Sequence, residues 1–170
     1  MADLLRLQLL DPVSDLELFQ QAYSWRVRPK PHVQPDRMSF ADFSAGAPTD
    51  IAIGLFNGDF QALYFLHEVQ PAIYQAHFTA RPKTSRELLL WGAALIIREF
   101  FTNGAKEIHA WVTPRNKPLQ TFLTHLGFEC VAEQHFPCTN ETHESNIATD
   151  ATSVGKLFVK YALFGIPPSV

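Results

Sequence analysis

VTPRNKPLQTFLTHLGFE, residues 112–129, decides how the rest of the chain is read. An apolar strand runs into Pro114 and ends there, because proline has no amide hydrogen to continue a ladder. Asn116 offers a side-chain acceptor at the start of a helix, and Pro118 sits in the first turn, where a missing amide hydrogen is harmless. Leu119, Phe122 and Leu123 follow at helical spacing. Gly127 tolerates the left-handed backbone that closes such a helix, so that Phe128 can re-enter the core. The stretch therefore predicts a strand over 108–112 and a short helix over 117–126.

Upstream, Thr84-Ser85-Arg86-Glu87 has the form of a capping box, and Leu88, Leu89, Ala93, Ile96, Ile97 and Phe100 keep a helical period as far as Asn103-Gly104. A strand over 73–79, this helix and the strand over 108–112 make a β-α-β unit, expected to be right-handed with its strands parallel. Within 73–79, Ile73, Gln75, His77 and Thr79 share one face, and Tyr74, Ala76 and Phe78 the other. The runs 51–56 and 60–69 are joined by Asn57-Gly58-Asp59, whose Asn-Gly pair suits a tight hairpin, so a three-strand meander is expected. Leu5, Leu7 and Leu9 alternate with Arg6 and Gln8 as a half-buried strand, and Ser14, three residues before Glu17, predicts the cap of a helix that aligns Leu16, Phe19 and Tyr23. Pro29, Pro31 and Pro35 forbid regular pairing, which leaves 26–35 as a surface arm before a short helix at 38–43. Two strands, 128–136 and 157–164, close the chain around a polar loop over 139–155, expected to be mobile.

The chain has 170 residues, 46% of them hydrophobic, enough for one core and too few to need two, so residues 1–170 are expected to form a single domain. A net charge of -3 with 18% charged residues excludes a broad basic surface, and nucleic acid is not an expected partner. The longest apolar run, 88–97, is broken by Gly92 and is too short for a membrane span. Two cysteines and no leader-like segment suggest a reducing, cytoplasmic setting. Cys130, His135, Cys138 and His143 invite a zinc reading, but their spacing fits no common zinc module, and Cys130 is expected as a small buried thiol; no metal is expected. His32, His67, His109 and His125 suggest only packing or surface positions, and Trp111 suggests core.

The element order, with Asn116 followed eleven and twelve residues later by Gly127-Phe128, resembles the GNAT superfamily of acetyl-coenzyme A-dependent N-acetyltransferases, including the branch similar to ribosomal-protein N-terminal acetyltransferases. The likeness is firm over 50–136 and looser over the first strand and helix. It implies an α/β (α+β) fold: a mixed, mostly antiparallel sheet of about seven strands with four helices, in which the fourth and fifth strands are parallel and splay apart to leave a crevice. It also implies that Asn116 faces the pantetheine arm; the plainer alternative is that Asn116 only caps the helix. Freed backbone groups of the fourth strand, around Phe78 and Thr79, would hold the same arm.

The superfamily's pyrophosphate loop has Arg or Gln, two residues, Gly, one residue, then Gly or Ala. Here it reads Arg81-Pro82-Lys83-Thr84-Ser85-Arg86, so the arginine matches while Thr84 and Arg86 stand at the glycine positions. Arg81, Lys83 and Arg86 could bind phosphate through side chains, with hydroxyl bonds from Thr84 and Ser85. Alternatively the loop is a solvated basic turn ahead of a well-capped helix.

The resemblance implies an acyl-coenzyme A-dependent N-acyltransferase that moves an acetyl group from its co-substrate acetyl-coenzyme A to a primary amine of a protein or small molecule. The tyrosine that many relatives use as a general acid is replaced by Leu123. A base has a clear purpose, since a lysine amine is neutral in only about one molecule in a few thousand at pH 7. His77, and Glu68 at the end of the third strand, are the candidates, each with an ordinary structural alternative. A second reading, from a looser likeness to GNAT-like proteins encoded among tailed-phage virion genes, is a catalytically inactive interaction or structural component. A homodimer or a larger assembly is compatible with either.

Overall fold

The computed structural model describes residues 5–26, 39–45, 50–136 and 156–166. The proline-rich arm beyond Arg26 and the polar loop over 139–155 lie outside them. In chain order the elements are β1 (Leu5–Leu10), α1 (Leu16–Arg26), the six-residue α2 (Phe40–Ala45), β2 (Asp50–Asn57), β3 (Asp59–Gln70), β4 (Ile73–Ala80), α3 (Arg86–Thr102), β5 (Glu107–Val112), α4 (Lys117–His125), β6 (Glu129–Phe136) and β7 (Lys156–Leu163). The strands form one sheet in the order β1-β2-β3-β4-β5-β7-β6. Only β4 and β5 are parallel neighbours; every other adjacent pair is antiparallel, as the resemblance implies. None of the described helices is long and apolar enough to cross a membrane.

Alternation along the strands divides the interior into two cores. On one face α3 and α4 bring Ile96, Ile97, Phe122 and Leu123 against Leu55, Tyr64, Leu66 and Ile108. On the other, Phe19 and Ala22 of α1 and Phe43 of α2 pack on Ala52, Phe56 and Leu63. Gly92 lets α3 lie close to the sheet: a β-carbon there would stand 3.1 Å from both Leu55 Cδ2 and Tyr64 Oη. Glycine therefore interrupts the apolar run for a packing reason.

The helix ends show which local signals win. At the end of α4, Gly127 holds φ +85°, its amide donates to Thr124 O and that of Phe128 donates to Leu123 O, the paired bonds of a Schellman motif. Two expected caps are corrected. Before α1 it is Asp11, not Ser14, that organises the turn, its Oδ1 accepting from the amides of Val13 and Ser14. Before α3 the cap is Ser85, which accepts from the Leu88 amide, because the Thr84 hydroxyl is drawn off to Gln61. Cys130 is also corrected: it is exposed, on edge strand β6.

Candidate active site

β4 and β5 are paired only at their start, where Ile73, Tyr74 and Gln75 face Glu107, Ile108 and His109. Beyond that point β4 follows β3 through Ala80 and β5 follows β7 through Val112. Each strand keeps its antiparallel partner, so the two halves of the sheet separate. A cavity of about 560 Å³ occupies the gap and reaches both sides of the sheet. Toward α3 and α4 it is lined by apolar groups such as Ala76, Phe78, Ile97 and Phe122; on the opposite side it meets Arg26, Phe65, His77 and Trp111. Thr84 and Arg86 enter from the start of α3, and Asn116 from the start of α4. Among the described residues no carboxylate lines the cavity, whereas two guanidinium groups do. That balance suits an anionic ligand with an apolar stem.

The loop into α3 has mixed capacity for phosphate. Lys83 takes the left-handed conformation, φ +74°, in a turn closed by the Thr84 amide donating to Arg81 O. The Arg81 guanidinium pairs with Asp59 at 3.2 Å, and the Ser85 hydroxyl serves as the cap. Ser85 caps α3, and Arg86 and Glu87 begin its first turn, where backbone amides and the helix dipole favour an anion. Arg86 Nη2 lies 3.1 Å from His125 Nδ1 across the gap between α3 and α4. The expected reach of Glu87 back to the cap is not among the hydrogen bonds formed.

On the face opposite α3, the strands build a polar row. Asp50, His67, Gln75 and His109 are successive cross-strand partners on β2, β3, β4 and β5. His67 Nδ1 is hydrogen-bonded to Asp50 Oδ1, with the Asp50 and His67 side chains 23% and 38% exposed. His77, one step along β4, has Nε2 at 2.8 Å from Gln75 Nε2. When the Gln75 nitrogen donates, the His77 lone pair is engaged at Nε2; with the amide turned over, the Gln75 oxygen accepts Nε2–H and the lone pair moves to Nδ1. The His77 ring is open to the crevice but crowded by protein, and this desolvation, followed by the Arg26 guanidinium, lowers its pKa, with Asp50 opposing. The imidazole is thus neutral at neutral pH. His109 is buried, 5% exposed, and is lowered first by desolvation and then by the Lys160 ammonium. Its Nδ1 is 3.1 Å from Glu107 Oε1, close enough for an ion pair but out of line for a hydrogen bond, and Lys160 Nζ holds the same oxygen at 2.7 Å.

The cavity brings together His77, Phe78, Thr84, Arg86 and Asn116 of the residues singled out from sequence. Thr79, Arg81, Lys83 and Ser85 do not line it. Glu68 is also apart: it alternates with His67, faces the α3 side next to Tyr74, and its Oε1 accepts from the Ala72 amide at 2.8 Å in the turn between β3 and β4. Asn116 is the helix cap, its Oδ1 accepting from the Leu119 amide at 3.3 Å, and it also borders the cavity. Trp111, expected in the core, lines the crevice. His67 and His109 were not singled out. Strand alternation places each on the His77 side once the strands are paired, but the pairing itself is a long-range property. Among the described residues no cluster suited to a metal appears, and Cys138 and His143 lie outside them.

No protein-family model matches the chain, and no curated protein does. Solved structures do. An N-acetyltransferase from Staphylococcus aureus is 12% identical with a TM-score of 0.72, over 95% of this chain and 97% of that one. The ribosomal-protein-S18-alanine N-acetyltransferase from Escherichia coli is 16% identical with a TM-score of 0.66, over 98% and 97%. A Bacillus subtilis acetyltransferase in complex with CoA is 13% identical with a TM-score of 0.67, over 95% and 99%. At these identities the shared property is the fold, a GNAT-like one.

Proposed function

We propose that this GNAT-fold chain transfers an acetyl group from acetyl-coenzyme A to a primary amine. The observation that carries the proposal is the crevice that passes through the sheet between β4 and β5, apolar toward α3 and α4 and polar toward His77. Its shape and lining fit a thioester arm entering from the α3 side, with Phe78 and the unpaired edge of β4 beside it, Asn116 at the arm, and Arg86 and the first turn of α3 at the phosphates. Thr84, Arg81, Lys83 and Ser85 serve the loop's own structure. The amine reaches the thioester from the opposite face, between His77, Phe65 and Trp111.

The amine must lose a proton before it can attack. Neutral His77, with the Gln75 oxygen turned toward Nε2–H, accepts that proton at Nδ1. The amine nitrogen bonds to the thioester carbon, the carbon–sulfur bond breaks, and the thiolate leaves with a proton from the amide-forming nitrogen or from solvent. Glu68 is not part of this arrangement, since its carboxylate closes a turn on the other face.

Thermal unfolding with acetyl-coenzyme A tests the proposal. A ligand at 100 times its dissociation constant adds about 2.7 kcal/mol. Arg86→Gln should weaken the shift, and Arg81→Gln should leave it. No shift at millimolar ligand would overturn the proposal and leave the fold as an interaction scaffold.

A further inference from the structure

Once His77 has taken a proton it stands as a cation beside Arg26, so turnover needs a place for that proton to go. The polar row offers two imidazole–carboxylate pairs. Glu107–His109 is a poor exit: His109 is buried, and Glu107 is already bound by Lys160. Asp50–His67 differs in exposure. Asp50 holds His67 at Nδ1, which fixes the ring and leaves Nε2 as the acceptor, and both side chains reach solvent. His67 is the cross-strand partner of Gln75, so it is a diagonal neighbour of His77 on the same face, where such pairs typically stand roughly 7–8 Å apart along the backbone and long side chains can meet through water. The Asp50 carboxylate acts on His77 as well, favouring its charged form.

We propose that His67, aligned by Asp50, is the second proton acceptor of this site, receiving through water the proton that His77 takes from the amine and passing it to solvent. The proton moves from the ammonium nitrogen to His77, from His77 to the water as that water gives its own proton to His67 Nε2, and from His67 to bulk. Two imidazoles return to neutral, and no oxidant or further reactant is needed. His67 acts through His77 and is a positioning and relay residue; Asp50 and His77 are the titratable groups next to it on this face, and His109 stands farther along the same row. The inference rests on the acetyl-transfer proposal.

The test uses the full chain, acetyl-coenzyme A, and as acceptors spermidine and a short peptide with a free α-amine and a lysine. His67→Ala should lower kcat by roughly 100-fold, the low end for general-base catalysis. The thermal shift with acetyl-coenzyme A and both KM values should stay unchanged, and imidazole added to the buffer should restore part of kcat. Asp50→Asn should lower kcat by a smaller factor, with the imidazole effect absent because the ring is still present. A purely structural His67 would instead move the unfolding temperature and ignore imidazole. Unchanged kcat in His67→Ala between pH 6 and 9, or loss without imidazole rescue, would overturn the relay alone. A wild-type chain that acetylates neither acceptor and binds no acetyl-coenzyme A would overturn the acetyl-transfer proposal and the relay with it.

Discussion

Asn116 offers the sharpest separation of structure from function, because the cap it forms and the coenzyme contact proposed for it respond differently to two substitutions. The Oδ1 bond to the Leu119 amide is 3.3 Å long, which places its worth at the weak end of helix caps, about 0.5–1 kcal/mol. Asn116→Ala should therefore lower the unfolding temperature of this 170-residue chain by roughly 1–4 °C. Asn116→Asp keeps the cap acceptor and adds a charge that the helix start favours, so the apo protein should be unchanged or slightly more stable. In the crevice, however, the same change removes an N–H donor and sets a carboxylate against the coenzyme's acceptor atoms. A penalty of roughly 2 kcal/mol weakens binding about 30-fold. At a concentration that gives wild type about 2.7 kcal/mol of stabilisation, the Asp variant should then gain only about 0.9 kcal/mol. Differential scanning fluorimetry with and without acetyl-coenzyme A reads both quantities. An Asp variant with the full ligand-induced shift would refute the reasoning and reduce Asn116 to a cap.

Other outcomes follow from single observations. Because His77 is held below the ordinary imidazole value, kcat/KM should stay flat from pH 8 down to about 6.5 and fall only below that, and His77→Gln should abolish the descent; a rate–pH profile checks this. The lowered pKa values of His77 and His109 mean that the unfolded chain binds more protons below about pH 6.5, so stability should decline as pH falls from that value through the folded pKa values, as urea unfolding at pH 7.5 and 5.5 would show. Glu68→Ala should cost about 1 kcal/mol of stability by removing the acceptor of the Ala72 amide, with kcat unchanged; a large loss of kcat would return Glu68 to the site. Lys83→Gly should raise the unfolding temperature, since Lys83 holds φ +74° and the left-handed region costs a non-glycine residue about 1–2 kcal/mol; a fall would refute it.

The fold was legible because its signals are local. Period-two runs, Asn57-Gly58, Asn103-Gly104 and the 112–129 stretch each announce an element or its end within a few residues. The site was only partly legible because it is made by register. Strand alternation placed Gln75 and His77 on one face, yet no local pattern says that β2, β3, β4 and β5 set Asp50, His67, Gln75 and His109 side by side. The same gap explains Glu68: a candidate base by type and position near a strand end, it lies across from Tyr74 and so on the other side of the sheet. Trp111, expected in the core, is half-buried at the crevice that the splay opens. Thr84 lost the cap to Ser85 through a contact with Gln61, twenty-three residues away, which no capping pattern contains.

The glycine-poor loop can be understood by asking where the glycines' work has gone. The left-handed turn that glycine commonly supplies is carried by Lys83, so the Thr84 amide is spent on Arg81 O and not on a ligand. What remains for an anion is the first turn of α3 together with Arg86. His125 Nδ1 lies 2.7 Å from Thr121 O, a distance that requires a proton on that nitrogen, so the same atom cannot also accept from Arg86 at 3.1 Å. The Arg86 guanidinium thus lines the crevice beside a side chain that cannot accept from it. A phosphate oxygen would supply the acceptor that His125 cannot, and the position where the superfamily keeps a small residue for backbone approach would here act through a charged side chain.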